Sequence, residues 1–153
     1  MNSMGMQRCA MLAVCAVVLS GCGNALDPAR DVTGTWLGTS PNGAVYQDNV
    51  ANPNCRYEAD LRLTLAQDGS SLAGSLQLTV RKSEKLLSTS LSCVPVGTTS
   101  NQALFGEIGS SRANFTLIDG VTVFSGTFTS NIFSGDFVTN AANGVIGTFT
   151  VQR

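Results

Sequence analysis

The side chains suited to bond-making chemistry are sparse, and the commonest is missing. The chain has no histidine, so it lacks the usual general base and the usual metal ligand. Serine and threonine are abundant, but a hydroxyl nucleophile needs a base beside it. Lys82 or Lys85 could act in a Ser–Lys pair. Both sit in a polar, charged stretch from Arg81 to Ser90 that reads as a solvated loop. Asp48, Glu58, Asp60 and Glu107 are the carboxylates available for the paired acid–base chemistry of glycoside cleavage. Glu58 and Asp60 fall on the polar side of an alternating segment, where carboxylates are ordinary solvated surface. No catalytic residue is assigned, and no enzyme activity is expected.

The N-terminal stretch carries a different kind of chemistry. Arg8 is followed by a run from Ala10 to Leu19 that is almost wholly apolar. About ten apolar residues are too few for a membrane span, which needs roughly 20. They suit the core of a signal peptide, about 7–15 residues long. Small residues, Ser20 and Gly21, then precede Cys22. Met1, Met4 and Met6 are all possible starts.

Leu19-Ser20-Gly21-Cys22 resembles the lipobox of bacterial lipoproteins. That resemblance implies removal of residues 1–21, a diacylglyceryl group on the Cys22 sulfur, and acylation of its new amino terminus. The implied membrane partner is reached through those chains. Buried chain carbons contribute about 0.8 kcal/mol each, so two or more chains anchor stably. The implied location is the bacterial cell envelope. With Gly23 rather than Asp after the cysteine, this is the periplasmic face of the outer membrane if the host has two membranes. The competing reading is an ordinary secretory signal cleaved near Gly23-Asn24-Ala25.

Under the lipoprotein reading the five cysteines sort by position. Cys9 and Cys15 leave with the signal and Cys22 takes lipid. Cys55 and Cys93 remain as a pair in an exported protein, where disulfides persist. The pair is expected to be bonded, with two free buried thiols as the alternative. Two cysteines without histidine cannot complete a four-ligand zinc site. No metal or cofactor is expected. Nine Lys and Arg face ten Asp and Glu, so there is no basic field for nucleic acid.

After a short tether, 22–31, residues 32–153 read as one domain. The nine residues after Cys22, Gly23 to Asp31, reach about 30 Å at most. Leu26 to Arg30 allows one turn of helix, with Asp27 as cap and Pro28 at the first helical position. The rest alternates with the strand period of two. Tyr57, Ala59, Leu61, Leu63 and Leu65 share a dry face, while Glu58, Asp60, Arg62 and Thr64 face away. Asp68-Gly69 opens a turn, and Leu72, Gly74, Leu76, Leu78 and Val80 resume the dry face. A short strand is expected at Leu91-Cys93-Pro95 and a turn at Gly97 to Asn101. Further strands follow to Val151, with a hairpin at Asp119-Gly120.

An apolar-x-Gly-x-apolar pattern recurs about Gly34, Gly74, Gly106, Gly126, Gly135 and Gly147. Glycine weakens a strand interior. Repeated on the inner face, it relieves crowding and permits sharp coiling in a small closed sheet. The predicted fold is all-β: an antiparallel up-and-down barrel of about eight strands, or nine. A flat sandwich with glycines at bulges is the alternative.

Gly34-Thr35-Trp36 resembles the first-strand signature of lipocalin- and avidin-type barrels, and Asp68-Gly69-x-x-Leu72-x-Gly74 resembles an avidin-type hairpin. The resemblance implies that Trp36 plugs one end and packs under Arg153. The chain departs from both families. It has one tryptophan, Leu37-Gly38-Thr39 does not match the biotin-holding residues, and no Thr-Asp-Tyr motif occurs. Architecture carries over and no ligand does.

The expected role is a lipid-anchored envelope lipoprotein, a non-enzymatic binding or structural module whose ligand-binding residues are unknown. One alternative is a carrier of a small apolar ligand inside the barrel. Another is an envelope inhibitor or scaffold that meets an envelope protein through a long polar loop, Thr39 to Asn54.

Overall fold

The computed structural model describes residues 31–48, 54–88, 91–117, 120–140 and 144–153. The signal stretch, Cys22 and the tether up to residue 30, with its expected helical turn, lie outside the described residues. Among the described residues there are nine strands and no helix: β1 (Gly34–Gly38), β2 (Ala44–Asp48), β3 (Cys55–Asp68), β4 (Ser71–Lys85), β5 (Thr99–Ile108), β6 (Arg112–Leu117), β7 (Thr122–Thr129), β8 (Ile132–Thr139) and β9 (Val145–Gln152). Each strand is antiparallel to its neighbour, and the last returns to the first two.

Nine segments make eight positions in the wall. β1 pairs with Leu61–Leu65 of β3, and β2 pairs with Arg56–Ala59 of the same strand. Both also meet β9. β1 and β2 are therefore two halves of one interrupted strand, and the sheet closes into an up-and-down barrel. A tight turn at 39–43 separates them, where Asn42 and Gly43 N–H groups both donate to the Thr39 carbonyl, at 2.9 and 2.8 Å.

The expected loop from Thr39 to Asn54 is thus corrected. β2 lies inside it, and residues 49–53 lie outside the described residues. Its polar composition hid a period-two segment with Ala44 and Tyr46 inward and Val45 and Gln47 outward. The physical reason is the length of β3. β1 covers only part of it, and the remainder would be an unpaired edge.

Three smaller expectations also change. Arg81 to Lys85 is not a loop; β4 continues through it, paired with β3 as far as Cys55↔Lys85. Its charges point outward and pair across the strands, Arg81 Nε to Asp60 Oδ2 at 2.7 Å and Lys82 Nζ to Glu58 Oε1 at 2.9 Å. Leu91, Cys93 and Pro95 form no strand. Pro95 has no N–H to donate to a ladder, and its carbonyl instead accepts from Thr98 in a turn with Gly97 at φ +90°. β5 begins at Thr99, inside the expected turn.

The alternation read from β3 holds. Cys55, Tyr57, Ala59, Leu61, Leu63 and Leu65 are buried, and the residues between them are not. Six of the seven phenylalanines, all but Phe105, are buried within the wall. Their rings touch in a chain: Phe115 on Phe124, Phe124 on Phe137, and Phe128 on Phe133 at 3.9 Å between centroids. An eight-strand barrel is just wide enough for side chains to fill. This one is apolar inside and polar outside, the reverse of a membrane-spanning barrel.

The inward glycines make room for those rings. A Cβ on Gly126 would stand 2.6 Å from Phe133 Cε2, and one on Gly147 would stand 2.5 Å from Phe137 Cζ. Gly135 and Phe149 are direct cross-strand partners, as are Gly147 and Phe137. A ring laid across a partner glycine fills the volume the glycine leaves and bends the strand inward.

Candidate functional site

The barrel has two unlike ends. At the entry end, where the described chain begins at Asp31, Trp36 is fully buried. Its indole N–H donates to the Val32 carbonyl at 2.9 Å, and Phe128 meets its ring edge-on at 5.2 Å. Arg153 lies over the same ring, 5.0 Å from guanidinium carbon to centroid, and its Nη1 donates to the Thr33 carbonyl at 3.0 Å. β1 brings the tryptophan and the end of β9 brings the arginine. Such a cation–π contact at an exposed site contributes about 0.5–1 kcal/mol. It closes this end.

The far end carries a covalent tie. Cys55, the first residue of β3, is bonded to Cys93 in the β4–β5 connection, with Cα atoms 5.8 Å apart. The connection is also held by hydrogen bonds. Leu86 N donates to Asn54 O at 2.7 Å, Gly97 N to Val80 O at 2.8 Å, and Val94 N to the Tyr57 hydroxyl at 3.2 Å. Beneath it lies a small second core of Cys55, Tyr57 and Val80, with Tyr46, Leu78 and Cys93 packed against it.

A polar knot supports that second core. Tyr57 donates its hydroxyl proton to Asp48 Oδ2 at 3.0 Å, while Asp48 Oδ1 accepts from Cys55 N at 2.8 Å. Tyr46 stacks on Tyr57 at 4.8 Å. Burial pushes the Tyr46 phenol up to about 12, helped by Tyr57 and then Asp48. Burial also raises Tyr57, and Asp48 adds to the effect. Ser83 Oγ, cross-strand from Tyr57, is buried without a hydrogen-bond partner.

The far end is also where apolar side chains reach solvent. Leu86, Leu87, Leu91, Val94 and Val96 are exposed on the β4–β5 connection. Val121, Val138 and Ile146 are exposed towards the same end, just before β7 and on β8 and β9, none of which adjoins β4 or β5. Among the described residues, every exposed large aliphatic or aromatic side chain except Leu37, Phe105 and Ile132 lies here.

The sequence candidates sit as follows. Cys22 lies outside the described residues. Cys55 and Cys93 are joined. Glu58 and Asp60 are on the outer wall, each bound to a cation, and Asp60 also accepts from Ser40 N at 2.8 Å. That backbone hydrogen bond first, and Arg81 second, holds the Asp60 carboxyl below its usual range. Asp48 is engaged by Tyr57 and the Cys55 backbone. Among the described residues, no three Cys, Asp or Glu side chains gather as a metal site would require. The larger depressions, of about 530 and 470 Å³, are grooves on the wall, lined by residues such as Leu37, Thr150 and Gln152, and Val45, Arg56 and Ile146.

Sequence reasoning missed the Asp48–Tyr57 knot and the apolar rim. The rim had a signal: no charged residue occurs from Leu86 to Gly106. No protein-family model, curated protein or solved structure matches this chain.

Proposed function

We propose that this chain is a lipid-anchored lipoprotein of the bacterial cell envelope, moored through acyl chains at Cys22. Its barrel is a binding or structural module without enzymatic chemistry. It works through its disulfide-tied end rather than through a cavity. The observation that carries this reading is the division of apolar side chains. The rings inside the wall pack on one another, while most of the exposed aliphatic residues among those described lie towards the end opposite the point where the described chain begins. An anchor joined at the entry end leaves that far end free to meet a partner. The rim thereby replaces the 39–54 segment as the contact surface of a scaffold or inhibitor. The outward polarity of the wall supports a barrel that stands beside a membrane rather than in it.

Intact mass measurement on protein extracted from its native host tests the anchor. The expected mass begins at Cys22 and includes a diacylglyceryl group and an added acyl chain. A mature chain that begins after Ala25 and carries no lipid would overturn the anchor. A small apolar molecule extracted in equal amount with the folded protein would favour the carrier reading instead.

A further inference from the structure

We infer that the outer face of β3, β4 and β5 is a saccharide-binding surface, which takes an acidic oligosaccharide with a carboxylate at Arg62 and a sugar ring on Phe105. This surface is separate from the far end and does not depend on lipid at Cys22, so it goes beyond the contact role proposed there.

Strand register lays this face out in three rows. Arg62 pairs with Gln77 and Gln77 with Asn101; Thr64 pairs with Ser75 and Ser75 with Ala103; Ala66 pairs with Ala73 and Ala73 with Phe105. All of these side chains are exposed. Phe105 is 55% exposed and is the one exposed aromatic ring among the described residues. Its neighbours across the ladders are Ala73 and Thr116, neither long enough to cover a phenyl ring. The negative face of such a ring attracts the C–H face of a sugar, whose hydrogens carry partial positive charge. Four residues of β5 separate Asn101 from Phe105, about 13 Å, which suits several linked sugars rather than one.

Arg62 sets the sign of the ligand. Its cross-strand neighbours, Leu37 and Gln77, are neutral. Among the described residues it has no ion-pair partner, whereas Arg81 and Lys82 hold Asp60 and Glu58. A guanidinium receives a carboxylate through two parallel N–H donors. Two depressions of about 220 and 240 Å³ meet at Arg62 and Gln77. The smaller is otherwise lined by Thr64, Ser75 and Asn101, uncharged side chains that both donate and accept as sugar hydroxyls do. Gln77 Nε2 donates to Asn101 Oδ1 at 3.0 Å, which fixes the two amides against each other. Asp68 and Glu107 border the Phe105 end in the next row. They suit sugar hydroxyls as acceptors and direct a ligand's own carboxylate to the Arg62 end. An extended peptide is the weaker fit. Peptides add to a sheet at an open edge, and β3, β4 and β5 are each paired on both sides.

Titration of the mature chain carrying Cys22→Ser, followed by backbone amide NMR, tests this with two probes. One is a tetrasaccharide of alternating N-acetylglucosamine and N-acetylmuramic acid, whose muramic units carry carboxylates. The other is chitotetraose, its uncharged counterpart. The acidic probe is expected to bind the tighter of the two, with shifts at Gln77, Asn101 and Phe105. Phe105→Ala is expected to weaken both about tenfold. Arg62→Gln is expected to bring the acidic probe down to the affinity of chitotetraose. Both positions are exposed, and an unchanged melting temperature checks the fold. No binding of either probe at millimolar concentration overturns the inference. So does binding that both variants leave unchanged, and so does equal affinity of the wild-type chain for the two probes. Binding of tetraglutamate as tightly as the acidic tetrasaccharide, lost in Arg62→Gln and kept in Phe105→Ala, overturns it in favour of an acidic peptide. None of these outcomes bears on the mass at Cys22 or on the far end, so failure here is distinct from failure of the proposed function.

Discussion

At the scale of single residues, the two tyrosines carry the clearest measurable consequence. The chain has only Tyr46 and Tyr57, and both phenols are raised, Tyr46 to about 12. In the unfolded chain both would titrate near 10. A raised acid binds its proton more tightly when folded. The stabilisation is therefore complete below about pH 10 and is lost as pH climbs from there through the folded value. Absorbance at 295 nm should show less tyrosinate at pH 10 in the folded protein than in the unfolded chain, and the denaturation midpoint should fall as pH rises from 10 towards 12. Ionisation of both phenols near 10 in folded protein would contradict the buried, stacked pair. Tyr57 has a second role, because its oxygen joins Asp48 to the backbone of Val94 and so links three segments distant in sequence.

At the scale of elements, the β4–β5 connection is tied to the sheet by the disulfide. The bond closes a sequence separation of 38 residues. In the loop-entropy account this contributes about 4 kcal/mol. Cys93→Ser is expected to lower unfolding free energy by a few kcal/mol in urea titration. Hydrogen exchange should speed up first at Tyr57, Val80 and Gly97, whose shielding or hydrogen bonds involve the connection, and not at Leu63 or Phe149. Equal loss of protection throughout the barrel would show that the tie governs the whole fold. The interrupted strand β1–β2 illustrates the same principle of local need. A fourteen-residue β3 requires a partner along its length, and the chain provides it in two pieces.

At the scale of the molecule, closure depends on fitting large rings into a narrow lumen. Gly126 is the sharpest test, because an added Cβ would meet Phe133 Cε2 and the Ser134 carbonyl oxygen, each at 2.6 Å. Gly126→Ala is expected to cost about 1–3 kcal/mol through overpacking, read as a lower melting temperature. Gly109→Ala, where the nearest atom is 3.8 Å away, should change little by comparison. Similar losses at both positions would remove the packing explanation. The entry end has Trp36 under Arg153, and the far end has the sulfur tie. The aliphatic side chains exposed on the β4–β5 connection give the molecule a direction.

The barrel was legible in the chain because burial imposes a period of two, and Tyr57 to Leu65 obeys it residue by residue. The inward glycines were legible because glycine is costly in a strand unless space demands it. The Cys55–Cys93 bond followed from an expected oxidising compartment and a count. Other features needed the fold. Strand β2 was concealed because five residues with Gln47 and Asp48 among them give too short an alternation to stand out. Arg81 to Lys85 read as a loop because a run of charges looks the same whether it is solvated coil or an outer face paired to Glu58 and Asp60. The Asp48–Tyr57–Val94 contact joins residues that only strand pairing brings together. The apolar rim is a property of a surface, and sequence alone cannot say which aliphatic side chains the core leaves outside. Periodicity is local and survives in one dimension; which residues become neighbours depends on register and closure, and those exist only in three.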